Sequence, residues 1–102
     1  MIKEINLKYI ELIKNDYKIF LQFLKAKYPI FHNSNFFPRE LQFGAAKFMQ
    51  NKGIKISYGQ AEGLAKAVGS FLEQEGIFVR VNNHGWRINY KEFVTKVPGD
   101  PL

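Results

Sequence analysis

The strongest constraint in this sequence is the stretch from Ser57 to Tyr90, where a helix punctuated at both ends runs directly into two segments of strand periodicity. Ser57-Tyr58-Gly59-Gln60 fits a capping box: the Ser hydroxyl accepts from the third helical amide, and the Gln side chain accepts from the N–H of the cap. Ala61, Leu64, Ala65, Val68, Phe71 and Leu72 follow at spacings of three and four, and Gly76 stops the helix. Ile77-Phe78-Val79-Arg80-Val81 and Trp86-Arg87-Ile88-Asn89-Tyr90 then alternate with period two around Asn82-Asn83-His84-Gly85, which predicts a hairpin with a four-residue loop. In that register Val81 faces Trp86, Val79 faces Ile88 and Ile77 faces Tyr90 on the buried side, while Arg80 faces Arg87 on the other.

The first half reads as helices. Ile5, Tyr9, Leu12, Ile13, Ile19, Phe20, Phe23, Leu24 and Tyr28 recur at helical spacing, with Lys14, Lys18, Gln22 and Lys25 on another face. Asn15-Asp16 interrupts the stripe, so Asp16 is expected to cap a second helix of roughly 12 residues, which Pro29 ends by disfavouring helical geometry at Tyr28. A polar and aromatic loop, His32 to Phe37, leads to a third helix over roughly 37–52, with Asn35 as its expected cap and Pro38 in its first turn. Leu41, Ala45, Phe48 and Met49 form its apolar face, and Gly53 closes it. Ile54-Lys55-Ile56 is an extended connector.

The 102 residues make one domain, expected over 1–97 with an N-terminal helical extension and a flexible tail at 98–102, and its 10 Phe and 5 Tyr supply a strongly aromatic core. No cysteine is present, which excludes disulfides, thiolate metal sites and a Cys nucleophile. The N-terminus, charged every few residues, carries no signal-like or membrane-spanning run, so a soluble, cytoplasmic protein without membrane attachment is expected. The net charge is +6 and unevenly spread: residues 1–55 hold ten Lys/Arg against four acids, 56–79 one against three, and 80–102 four against two. A basic first half and a basic hairpin flanking a slightly acidic helix favour polyanions, or serve only to keep the surface solvated.

Two helices joined by the short turn Gly53-Ile54-Lys55-Ile56-Ser57 and followed by a hairpin resemble the winged helix-turn-helix superfamily, in topology and punctuation, over about residues 16–93. The resemblance implies an α+β, mostly helical fold of three to four helices and a C-terminal hairpin. It also implies that the helix at 58–75 takes the recognition-helix position, with Asn82 to Gly85 as the wing tip.

Opposite its apolar stripe this helix carries Gly59, Glu62, Gly63, Lys66, Gly69, Ser70 and Glu73, only one Lys against two Glu, which furnishes base reading poorly. Tyr58, Gly59, Gln60 and Lys66 form its candidate groove-facing set. Arg80 and Arg87, opposed on the hairpin, are the best phosphate candidates unless Glu73, Glu75 or Glu92 neutralises them; His84 and Asn83 at the wing tip, and Arg39, Lys47, Lys52 and Lys55 on and after the third helix, extend the set. Trp86 falls on the core side of the alternation. Catalysis has no motif: neither His32 nor His84 sits in a metal-ligand spacing, no nucleotide loop or nucleophile elbow occurs, and no metal or cofactor is expected. Two functional classes therefore stand. One is a non-catalytic DNA-binding protein, a small transcriptional regulator; the other is a protein-interaction module or homodimer that uses Gly59, Gly63 and Gly69 as a close-approach face.

Overall fold

The computed structural model describes residues 2–93, with side chains from Leu7 onward. Helices α1 (Ile2–Asn15) and α2 (Tyr17–Lys27) are followed by a short strand β1 (Asn35–Phe36), helices α3 (Pro38–Asn51) and α4 (Tyr58–Gln74), and strands β2 (Phe78–Asn82) and β3 (Gly85–Ile88); a 3-10 turn spans Lys91–Phe93. The strands form one antiparallel sheet in the order β1-β3-β2, giving an α+β, winged-helix-like arrangement. The expected tail at 98–102 lies outside the described residues. Among the described residues no helix is long and apolar enough to cross a membrane.

The break between α1 and α2 is a single residue, Asp16, whose backbone leaves helical geometry at φ −120° and ψ 37°. Its side chain makes no capping hydrogen bond, contrary to expectation; its backbone carbonyl accepts from the Phe20 amide at 2.9 Å instead. The buried stripe nevertheless continues across the break, from Ile13 to Phe20 and Leu24. Phe20, Leu21 and Leu24 face inward, while Ile19, counted in the apolar stripe from the sequence, is 59% exposed.

Asn35 does not cap α3. It lies in β1, and Phe37 is the cap residue, with its amide donating to the Glu40 carboxylate at 3.1 Å. The Ser57–Gln60 capping box forms as expected, the Gln60 amide donating to Ser57 Oγ at 3.1 Å and the Ser57 amide to Gln60 Oε1 at 2.8 Å. Between α3 and α4, Gly53 takes φ +82°, which lets the chain turn where a Cβ would be strained.

The hairpin register differs from the expectation by one residue. Phe78 pairs with Ile88, Val79 with Arg87 and Arg80 with Trp86, after which the ladder slips so that Asn82 pairs with Gly85. The loop is therefore the two residues Asn83-His84, and Val81 is the extra residue of a β-bulge. Neither Asn83 nor His84 has positive φ, so the turn lacks the primed geometry that matches strand twist, and the bulge takes up the mismatch. The Asn82 side chain supports the turn by accepting from the His84 amide at 2.7 Å. Because side chains alternate, the slip exchanges the faces of β2: Phe78 is buried and Val81 exposed, whereas Trp86 and Ile88 of β3 are buried as expected, and Arg80 and Arg87 are not opposed.

Phe36 of β1 pairs with Trp86, which extends this inner face, and aromatic rings run from Tyr28 through Phe36 and Phe78 to Trp86 at centroid separations of 5.9, 5.7 and 4.8 Å. Trp86, 5% exposed, packs on α4 at Gly69, where an added Cβ would come within 2.8 Å of Trp86 Cζ2 and 3.5 Å of Leu41 Cδ2. Gly69 is therefore buried and filled from inside, not an exposed member of a partner face. Gly69→Ala is expected to lower stability by about 1–3 kcal/mol through overpacking. Gly59→Ala, whose Cβ meets nothing within 4 Å, should be neutral or gain up to about 1 kcal/mol from helix propensity. Urea unfolding followed by circular dichroism distinguishes the two, and coincident midpoints would contradict this account.

Candidate nucleic-acid interface

The candidate residues divide into those already held by the protein and those open to solvent. Arg80 belongs to the first group. Its Nη2 meets Glu73 Oε2 at 2.6 Å, and its guanidinium lies 5.5 Å from the centre of the Trp86 ring. The same Glu73 oxygen accepts from Trp86 Nε1 at 2.6 Å, so one carboxylate on α4 holds two groups of the hairpin. Arg87, on the other face, donates to Asn33 Oδ1 at 2.8 Å; Asn33 itself has φ 75°, a left-handed conformation that Asn tolerates. Of the acids expected to neutralise the arginines, Glu73 does so for Arg80, and an amide rather than a carboxylate serves Arg87.

Several lysines of the first half are likewise engaged. Lys25 donates to the Ile30 carbonyl at 3.0 Å and lies over the rings of Phe31 and Phe93, clamping the 3-10 turn to α2. Lys14 lies 3.8 Å from Glu11 and 5.3 Å from the Phe71 ring centre.

The α3–α4 turn is different. Lys52 follows α3, with its Nζ 5.0 Å from the Phe48 ring centre; Lys55 is exposed in the connector, and Tyr58 opens α4 at 67% exposure. Among the described residues neither lysine has a carboxylate partner. Gly59 beside Tyr58 is exposed, whereas the Gln60 side chain is occupied by the capping box. Arg39 and Lys47 are exposed on α3, and Asn83 and His84 at the wing tip.

Lys66 and Arg80, named separately from the sequence, line one groove together with Pro38, Gln42, Glu62, Ala65, Ser70 and Trp86. Gln42 was not among the candidates, although its place between Pro38 and Ala45 on the helical period puts it on the inner face of α3. Gly63 is half-buried and Gly69 buried, so the three glycines form no continuous exposed strip.

Two phenols away from this region are perturbed. Burial, assisted by the Glu40 charge, raises the Tyr28 hydroxyl; burial, then the charge of Glu92 and a hydrogen bond with it, and finally Tyr17, raise Tyr90. Their stability contribution is complete below the ordinary phenol value of about 10 and is lost as pH rises through the raised folded values. Among the described residues no three His, Asp or Glu side chains gather to hold a metal. No protein-family model, curated protein or solved structure matches the chain.

The shared acceptor makes a direct prediction. Glu73→Leu strands the buried indole N–H and releases Arg80, and should cost about 1–3 kcal/mol. Glu73→Gln retains an oxygen for the indole and should cost less. Because Trp86 is the only tryptophan, denaturant titration followed by its fluorescence reads both; equal losses from the two variants would contradict the assigned hydrogen bond.

Proposed function

We propose that the chain is a non-catalytic DNA-binding protein of winged-helix type, a small transcriptional regulator that contacts phosphates from the α3–α4 turn and the wing. The observation that carries this reading is the unneutralised, exposed group at the turn: Lys52, Lys55 and Tyr58, with Gly59 leaving the backbone approachable. A net charge of +6 supports it. The wing contributes on different terms. A phosphate reaching Arg80 or Arg87 competes with Glu73 or Asn33, so each wing contact gains less than a free lysine does. The outward surface of α4 offers Lys66 beside Glu62, few donors for base edges, so binding relies on the backbone and discriminates weakly between sequences.

The test is an anisotropy titration against random duplex at several salt concentrations. Lys52→Ala with Lys55→Ala should weaken binding and reduce the slope of log affinity against log salt by about 1–2. Arg80→Ala with Arg87→Ala should change it less. Absence of binding at low salt, or a slope unmoved by either pair, overturns the reading.

The alternative, a protein-contact module or homodimer, draws support from a different place than the glycines. Exposed Phe37 and Val81 line one small recess with Asn35, Asn82, Gly85 and Trp86. Sedimentation of the chain and of Phe37→Ser tests it: a concentration-dependent dimer lost in the variant favours this class, and a strict monomer that captures no partner counts against it.

A further inference from the structure

The groove between α3, α4 and the base of the wing has a volume of about 420 Å³, within the range of small-molecule sites. Its apolar wall is Pro38, Ala65 and the Trp86 indole, and its polar lining is Gln42, Glu62, Lys66, Ser70 and Arg80. Gln42 is built into the wall at 8% exposure, yet its Nε2 has no hydrogen-bond partner. A buried amide donor left unsatisfied is costly in a folded protein and is returned to use by a ligand that supplies an acceptor.

The charges specify the ligand further. Arg80 is already neutralised by Glu73, which leaves Lys66 and Glu62 as the two opposite charges of the lining, one helical turn apart and paired with no described residue. Such a lining has no net preference for an anion, and it suits a molecule that carries both signs at once. From this we infer that the groove binds a small zwitterion, a free α-amino acid with an apolar side chain. Its ammonium faces Glu62, its carboxylate accepts from Lys66 with Gln42 or Ser70, and its side chain lies against Ala65, Pro38 and Trp86. This site does not depend on DNA binding.

Trp86, the only tryptophan, lies in the wall and reports occupancy by its emission. The full chain is titrated with L-leucine and L-phenylalanine, and in parallel with 3-phenylpropionate, 2-phenylethylamine and inorganic phosphate. One or both amino acids should give a saturable response below about 10 mM, with each phenyl analogue that lacks one charge binding about 10-fold more weakly than L-phenylalanine, or than L-leucine where that is the ligand. Glu62→Gln should abolish the advantage over 3-phenylpropionate, and Lys66→Met the advantage over 2-phenylethylamine. Both residues are exposed, so these variants retain the fold. No saturable response to either amino acid, a one-charge analogue or phosphate binding as tightly as they do, or affinities unmoved by both substitutions overturns the assignment.

Discussion

The contact on which the rest of the structure depends is that of Trp86 with α4. The indole fills the space that Gly69 leaves open, its N–H is received by Glu73, and the same carboxylate oxygen holds Arg80 from the neighbouring strand. Packing and polar satisfaction thus act at one place. A buried indole N–H needs an acceptor, and a helix side chain supplies it only if the ring lies close to the helix, which only glycine permits at position 69. The sheet is thereby held on α4 through two strands, β3 by Trp86 and β2 by Arg80, and β1 is joined to it through β3.

Features governed by neighbouring residues were legible in the sequence. The Ser57–Gln60 box, the turn at Gly53, the break at Asp16 and the burial of Trp86 each follow from local chemistry. What escaped was set by geometry across the chain. A single bulged residue at Val81 moved the hairpin register and turned Val79 and Val81 away from the inner face, although the alternation itself is symmetrical and cannot say which set faces inward. β1 is only Asn35–Phe36, too short for any period to reveal, and pairing with β3 is what defines it. For the candidate interface, residue types marked the basic positions well. Which cations were already spoken for depended on contacts such as Arg87 with Asn33, 54 positions away in sequence.

This division changes how the wing is understood. An arginine pair facing across a hairpin would repel and would seek an anion; two arginines on opposite faces, each with its own acceptor, have their demand met within the fold. The lysines of the α3–α4 turn lack such partners among the described residues and lie on the segment whose conformation is set by Gly53 and the α4 cap. Positive charge is held there on a well-defined backbone at the start of a helix, which is a firmer basis for phosphate contact than a strand whose side chains are internally committed.

The bulge at Val81 has one more effect, on the behaviour of the molecule in a crowd of its own kind. Among the described residues β2 is an outer strand, and amides and carbonyls along the side that no described strand pairs are a template for another chain. A regular edge would offer them in an even row. The extra residue twists the strand and puts its hydrogen-bonding groups out of step, so that only a short stretch from Phe78 to Arg80 keeps a regular spacing. The irregularity that disguised the register in the sequence thus also shields the sheet from growing by strand addition.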